Sequence, residues 1–195
     1  MLSNIKKIIR FILFYPFLKK FKEIGSNVEF GPNVKISFPE VISIGSRVSF
    51  GQRTLLYPIP RYHNYKYSPS IKIGNDVYIG GYCQIHSANN VQIKDGCVLS
   101  DYVYISDVAH GLSPKLGPIM LQELHSKGSV IIGESTFLGF GVCVMPGVEI
   151  GKHCVVGTRS VVTKSCPDYS MLAGSPAKII RKFDLACGEW VPVND

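Results

Sequence analysis

The sequence predicts an all-β domain in which short strands wind into a triangular prism. The main observation is an apolar residue that recurs every six positions, followed by glycine or by a small or polar residue. The composition agrees, because glycine (19) and proline (12) favour turns, while the abundant valine and isoleucine favour strands. A chain of 195 residues is expected to form a single domain, residues 1–195, with a substantial core.

The six-residue period is organised in triplets. The leading residues are Ile24, Phe30, Ile36; Ile44, Phe50, Leu56; Ile73, Ile79, Ile85; Ile93, Leu99, Ile105; Ile132, Leu138, Val144; and Ile150, Val156, Val162. Every departure from a spacing of six falls between triplets. Three hexads therefore predict one coil of the prism, with about six coils in all. Each leading residue points inward, where burial contributes roughly 1.5–3 kcal/mol.

The fifth position of each hexad is expected to face inward where the wall is tight, and it is occupied by small residues. These are Val28, Val34, Val48, Thr54, Val77, Cys83, Cys97, Val103, Ala109, Thr136, Val142, Val148, Cys154, Ser160 and Cys166. Four of the six cysteines fall in this position, which favours small buried filler over a redox or metal role. No CxxC motif or metal-ligand cluster is present in the sequence, so we expect reduced thiols in a cytosolic protein, and no metal.

All insertions follow the third hexad of a coil, so they project from one edge of the prism. The prism is predicted to span residues 23–167, and the long insertions are residues 57–70 and 111–129. Functional residues concentrate in loops carried by a rigid scaffold. The two long insertions are therefore the expected place for a binding or catalytic site.

The two ends of the chain are predicted to carry short helices. Residues 1–22 combine basic residues with an apolar run from Phe11 to Leu18, which is too short to span a bilayer. Two interpretations stay open for this segment: a helix that covers the end of the prism, and a basic amphipathic helix on a membrane surface. Residues 168–195 are expected to form a tail with a C-terminal helix.

The formal net charge of +7 favours an anionic partner. Phosphorylated cofactors, nucleotide-sugars, acidic glycans and membrane surfaces belong to that class. Nucleic acid has the same charge, but the sequence has no recognition motif for it.

Residues 130–183, VIIGESTFLGFGVCVMPGVEIGKHCVVGTRSVVTKSCPDYSMLAGSPAKIIRKF, resemble the hexapeptide-repeat acyltransferases. The nearest branch includes galactoside and maltose acetyltransferases and the O-acetyltransferases of bacterial polysaccharide pathways, and the resemblance extends over residues 24–183. It implies a left-handed parallel β-helix, a homotrimer, and acetyl-CoA bound in clefts between neighbouring prisms. The hand rests on the resemblance alone, because crossovers between parallel strands are generally right-handed.

The resemblance selects His110, in the segment SDVAHG, as the catalytic base. A sugar hydroxyl is a weak nucleophile at neutral pH, and histidine titrates near the pH at which such a base must work. The position of His110 agrees with this role, because the residue ends the third hexad of its coil and leads into the longer insertion. Asp107 is expected either to orient this imidazole or to be an ordinary turn residue.

The same resemblance implies a set of donor-binding residues. The segments VVTK and PAKIIR select Thr163, Lys164, Lys178 and Arg181 for the phosphates of coenzyme A. Phe137 stands where relatives commonly carry tryptophan, and Phe140, Gly141 and Thr158 lie beside the pantetheine arm. The backbone N–H groups near Phe140 and Gly141 are the implied oxyanion donors.

Three residues are expected to contact the acceptor. His86 precedes His110 by one coil at the same edge, and the first insertion supplies Tyr57 and Arg61 among aromatic residues. Acetyl transfer from acetyl-CoA to a sugar or glycan hydroxyl in surface polysaccharide synthesis is the favoured function. N-acetylation of a nucleotide-linked amino sugar stays open as the alternative. Two other classes use the same prism: a zinc enzyme of the γ-carbonic anhydrase type, which needs three histidines, and a non-catalytic scaffold.

Overall fold

The structure is a computed structural model that describes residues 16–193, and its strands wind around three long sheets. Sheet A contains β1 (Glu23–Ile24), β4 (Ile42–Ile44), β9 (Ile71–Ile73), β12 (Val91–Ile93), β17 (Val130–Ile132) and β20 (Glu149–Ile150). Sheet B contains β2 (Glu29–Phe30), β5 (Ser49–Phe50), β10 (Tyr78–Ile79), β13 (Val98–Leu99), β18 (Phe137–Leu138) and β21 (Val155–Val156), followed by β23 (Ser170–Gly174), β24 (Ala177–Asp184) and β25 (Glu189–Pro192). Sheet C contains β3 (Lys35–Ile36), β6 (Leu55–Pro58), β11 (Gln84–Ser87), β14 (Tyr104–Ser106), β19 (Cys143–Val144) and β22 (Val161–Val162).

The register of the sheets confirms the predicted triplets. In sheet A, Ile44 pairs in parallel with Ile24 on one side and with Ile73 on the other. The same column continues through Ile93 to Ile132, across the longest insertion. Leading residues of successive coils therefore stack in continuous ladders, and from the second coil onward they are buried.

The small-residue position is confirmed through the body of the prism. Val48, Thr54, Val103 and Ser160 are at most 1% exposed. Burial raises the pKa of the Cys83 and Cys97 thiols to about 11, so both stay protonated and unreactive at neutral pH.

The prediction was wrong at Ala109, which is exposed. The chain has already left the prism at this residue and forms β15 (Ala109–His110), which pairs with β16 (Leu124–His125). In the first coil, Val28 and Val34 are half-buried, because they lie at the open end of the prism.

At the corners, glycine allows the close approach of successive coils. A Cβ atom on Gly45, which follows the leading residue Ile44, would lie 2.6 Å from the Gly74 carbonyl carbon of the next coil. The left-handed backbone falls two residues later, at Arg47 (φ 58°), and equivalent corners place Tyr82 and Tyr102 in it (φ 59° and 61°). Several left-handed corner positions therefore carry large side chains, while Gly96 and Gly141 occupy others.

These outward side chains stack along the edge between sheets B and C. The Arg53 guanidinium lies 5.7 Å from the Tyr82 ring centroid, and Tyr82 stacks on Tyr102 with centroids 4.8 Å apart. Phe140 lies 5.2 Å from Tyr102 and is covered by Arg159 at 5.6 Å. Aromatic and cation–π contacts of this kind add stability to the stacking of coils.

The prediction that all insertions share one edge is confirmed. They leave sheet C and return to sheet A, and we call this edge the insertion edge. The first long insertion forms the hairpin of β7 (Arg61–Tyr62) and β8 (Tyr65–Lys66). The second contains the β15–β16 hairpin and a 3₁₀ turn, Ile119–Leu121, while a further 3₁₀ turn, Pro39–Val41, occupies a shorter insertion.

At the N-terminal end, residues 16–18 of the predicted helix are helical, and residues 19–22 are not. Phe17 packs edge-on against Phe21 at 5.4 Å, and Phe21 continues into a stack with Phe30 and Phe50. This contact covers the first coil. The prediction for residues 1–15 lies outside the described residues, and among residues 16–193 no helix has the length and apolar character needed to cross a bilayer.

The predicted C-terminal helix was wrong, because residues 177–184 form strand β24. β23 pairs in parallel with β21, and β24 folds back antiparallel on β23, so that Leu172 faces Ile179. Without this hairpin, the backbone N–H and C=O groups on the outer side of β21, the last strand of sheet B within the prism, would have no partner. β23 supplies their hydrogen bonds. Burial along β24 alternates, with Ala177 and Ile179 half-buried between exposed neighbours.

Two adjacent residues of β13 test the inward ladder. Leu99 is fully buried and Val98 is 38% exposed on the outer face. We expect Leu99→Ala to lower the free energy of unfolding by about 2–5 kcal/mol, because the prism cannot close around the cavity. The control Val98→Ala should cost about 1 kcal/mol or less. Urea denaturation measures both, and equal losses would contradict the assignment of the two faces.

Candidate active site

An open cleft of about 680 Å³ lies at the insertion edge, between the second long insertion and the last two coils. The β15–β16 hairpin, with His110 and His125, and Lys127 form one side. Met145 and Thr163, which directly follow β19 and β22, form the other. The cleft therefore places the predicted base beside one of the predicted donor residues.

His110 reaches the cleft because the chain leaves sheet C after β14 and turns into a short antiparallel hairpin. Its cross-strand partner is Leu124, and the Gly111 N–H donates to the Glu123 carbonyl oxygen at 3.1 Å. A Cβ atom at position 111 would lie 2.7 Å from that oxygen, so this crossing requires glycine. The His110 side chain is exposed and can meet a substrate.

The buried side chain of Gln122 organises the loop beyond His110, a role that the sequence analysis missed. Its amide oxygen accepts from the Ser113 N–H at 3.0 Å, and its amide nitrogen donates to the carbonyl oxygens of Ser113 and Gly117. These bonds hold one wall of the cleft in place. Gln122 lies in an insertion outside the six-residue period, so the sequence gives no indication of these contacts.

Asp107 is not placed to orient His110, so that part of the expectation was wrong. Its carboxylate is fully buried and accepts from the Ser87 hydroxyl at 2.8 Å. It also accepts from the backbone N–H groups of Ala88 and Asn89, at 2.8 and 3.0 Å. These partners belong to the coil below. Asp107 therefore fixes the corner at which the chain leaves the prism.

The predicted acceptor residues lie below the cleft on the same side of the prism. His86 is on the outer face of sheet C, 5.6 Å from the Tyr57 ring centroid and 5.5 Å from that of Tyr104. Burial lowers the pKa of His86, so this imidazole is neutral near pH 7. Arg61 is exposed in the β7–β8 hairpin. Among residues 16–193, the lining of the cleft includes none of His86, Tyr57 and Arg61.

On a single prism the predicted donor residues are divided between the insertion edge and the region formed by sheet B and its edge with sheet C. Thr163 and Lys164 are exposed at the insertion edge. Phe137 is 41% exposed on the outer face of sheet B, while Phe140 (38% exposed) and Thr158 lie at the edge between sheets B and C. One copy of the chain therefore does not bring these residues together.

The proposed oxyanion donor at Gly141 is already engaged. Its N–H donates to the Asp101 carbonyl oxygen of the coil below at 3.0 Å, as part of the coil-to-coil ladder. The expectation that this N–H is available to an oxyanion was therefore wrong.

Lys178 and Arg181 lie on β24 and are both exposed. The turn between β23 and β24 projects from the end of sheet B, and β24 contacts β22, which precedes Thr163 and Lys164. Four polar or cationic side chains therefore lie around the last coils. Within the described part of the chain, no group of three or more His, Cys, Asp or Glu side chains could hold a metal ion.

The family described as bacterial transferase hexapeptide (six repeats) matches residues 129–164. A Mycobacterium tuberculosis protein named as an acetyltransferase, Rv3034c, is 34% identical over 60% of this chain and 39% of its own length. WbbJ of Escherichia coli K12, named for O-acetyl transfer in lipopolysaccharide biosynthesis, is 36% identical over 62% of this chain and 64% of its own. The chain thus spans less than two thirds of either relative.

The fold matches a solved structure of AntD, an N-acyltransferase from Bacillus cereus, as a point mutant in complex with dTDP-4-amino-4,6-dideoxyglucose and coenzyme A. The TM-score is 0.70 at 22% identity, covering 86% of this chain and 88% of AntD. This likeness shows the fold: the prism is a left-handed parallel β-helix.

The buried carboxylate of Asp107 yields a prediction about stability. In Asp107→Asn the amide N–H₂ replaces one carboxylate oxygen and faces one of the two backbone N–H donors, so we expect the free energy of unfolding to fall by roughly 1–3 kcal/mol. Glu134→Gln removes the same charge from an exposed position and serves as the control. Chemical denaturation compares the two. An Asp107→Asn protein as stable as the Glu134→Gln protein would show that the corner bonds do not matter.

Proposed function

We propose that this chain is a member of the hexapeptide-repeat acyltransferase family, whose model matches residues 129–164, and that it transfers an acetyl group from acetyl-CoA to a hydroxyl of a sugar or glycan. The observation that carries the proposal is the cleft at the insertion edge, where His110 and Thr163 line the same space. A base on one wall and a donor-binding residue on the other are what acyl transfer to a hydroxyl needs.

His110 acts as the general base. Its imidazole accepts the proton of the acceptor hydroxyl while the hydroxyl oxygen attacks the thioester carbonyl carbon. The C–S bond then breaks, and the thiol leaves with a proton returned from the imidazole. A positioned base of this kind contributes about 10²–10⁴ in rate.

The donor-binding residues fit an anionic, partly apolar ligand such as coenzyme A. Lys164, Lys178 and Arg181 are exposed around the last coils and would contact phosphate oxygens. Thr163 was predicted to contact the phosphates, but it lines the cleft with Met145, so we propose instead that both contact the arm that leads to the thioester.

The complete site requires a second copy of the chain. Phe137, Phe140 and Thr158 lie away from the insertion edge of their own prism, and three prisms around a common axis would bring them beside the insertion edge of a neighbour. We therefore propose a homotrimer with a donor site in each of the three clefts between prisms.

We place the reaction in the cytoplasm, in the synthesis of a bacterial surface polysaccharide, as the name of WbbJ suggests. A membrane contact through the N-terminal segment, residues 1–22, stays open beside its role as a cover for the first coil. The competing function is N-acetylation of a nucleotide-linked amino sugar, which the likeness to AntD with its bound amino sugar favours. Thiol release from acetyl-CoA against sugars, amino sugars and nucleotide-sugars, with mass spectrometry of the product, separates ester from amide.

The role of His110 is tested by His110→Ala. We expect turnover to fall by about 10²–10⁴, because the hydroxyl loses its base, while coenzyme A binding is retained. The control is His153→Ala, an exposed corner histidine that stacks on Tyr169. Steady-state kinetics and calorimetric titration with coenzyme A give the two readouts. Full turnover in His110→Ala would remove the assignment.

The proposed division of the donor site between two subunits is tested by mixing inactive subunits. Trimers assembled from His110→Ala and Phe137→Ala subunits should regain thiol release, because each mixed trimer contains one cleft with both residues intact. Mixtures of His110→Ala with Thr163→Ala should not, because both residues belong to the same edge. Activity is measured at low acetyl-CoA on trimers purified through two different tags. No gain in the first mixture, or equal gain in both, contradicts the proposed division.

A further inference from the structure

The two long insertions contact each other beside His110. The Tyr62 hydroxyl donates to the Met120 carbonyl oxygen at 2.7 Å, and the His63 Nε2–H donates to the same oxygen at 2.7 Å. A third bond runs from the Leu124 N–H to the Tyr67 hydroxyl oxygen at 3.0 Å. The first insertion therefore holds both the 3₁₀ turn and the second strand of the hairpin that carries His110.

Tyr62 also contacts His110 directly. The two rings are 5.6 Å apart between centroids, with an interplanar angle of 68°, which is an edge-to-face contact. Tyr62 is half-buried, whereas His110 is exposed. The tyrosine is thus held by its surroundings on one side and presents its ring to the imidazole on the other.

The hairpin that carries His110 needs outside support. Its strands are two residues each, and an isolated two-stranded hairpin is marginally stable. The carboxylate of Asp107, the nearest acidic group in the sequence, is directed to the coil below. Among the ring contacts of residues 16–193, Tyr62 provides the one made to His110.

We propose that Tyr62 is a positioning residue, whose ring sets the orientation of the His110 imidazole, and that the insertion at residues 57–70 is the support that holds it. The effect that we expect on kcat rests on the proposed function. A base must be held within a narrow range of positions to reach the hydroxyl proton, and a displacement of about 1 Å can cost roughly 100-fold in rate.

The kinetic test compares three variants at position 62. Tyr62→Ala removes the ring, and Tyr62→Leu keeps part of its volume, so a folded variant without the aromatic contact is available even where alanine destabilises the loop. We expect kcat to fall about 10- to 100-fold in both, with the KM for acetyl-CoA unchanged. Tyr62→Phe keeps the ring, and His63 and Tyr67 still join the insertions, so we expect it to retain most of kcat.

The matched control is Tyr65→Ala. Tyr65 pairs with Tyr62 across the β7–β8 hairpin and is 37% exposed. It tests whether any loss of aromatic surface from this hairpin lowers kcat. We expect turnover to be unchanged in this variant, and a loss equal to that of Tyr62→Ala would overturn the proposal.

A second readout does not depend on activity. The ring current of Tyr62 acts on the His110 imidazole, so the His110 Cε1–H NMR resonance should move in Tyr62→Ala and Tyr62→Leu and stay nearly in place in Tyr62→Phe. If the unsubstituted protein has no acetyltransferase activity but the resonance moves in Tyr62→Ala and Tyr62→Leu, the contact between Tyr62 and His110 is supported and the proposed function is contradicted. An unmoved resonance with unchanged kcat in Tyr62→Leu overturns the proposal, as does a Tyr62→Phe protein as impaired as Tyr62→Ala.

Discussion

The close approach of successive coils at the corners is the constraint on which the rest of the molecule depends. Gly45 lies so near the Gly74 carbonyl group that a Cβ atom would not fit, and the Gly45 N–H bonds to the Ile73 carbonyl oxygen at 2.8 Å. At this spacing each inward residue lies directly on its counterpart in the next coil. An extra residue on such a corner would shift every later inward residue out of the core.

The insertions that interrupt the six-residue period are therefore concentrated at the insertion edge, and the candidate site is formed there. The rigid prism supplies one wall, with Thr163 and Met145, and the hairpin of the second insertion supplies His110. Asp107 connects the two parts. Its buried carboxylate is bonded to the coil below, and its carbonyl oxygen accepts from the hydroxyl of Ser126, where the insertion returns.

The errors of the sequence analysis have identifiable physical causes. Asp107 lies three residues before the predicted base, but the direction of its side chain is set by the backbone donors of residues 88 and 89 in another coil. Residues 177–184 contain apolar and basic residues that are compatible with a helix, and the unpaired end of sheet B makes them a strand. Gly141 was assigned from a resemblance, and its N–H is occupied by Asp101.

The sequence by itself determined the prism, its register and the edge that carries the insertions, because a period of six residues translates directly into coils of three strands. The period also placed His110 at the point where it ends at this edge, and the resemblance to the hexapeptide-repeat acyltransferases then predicted this residue as the base. Only the tertiary structure decided that Tyr62 meets His110 and that Gln122 holds the loop. These contacts join segments that share no period, so they depend on how the chain closes in space.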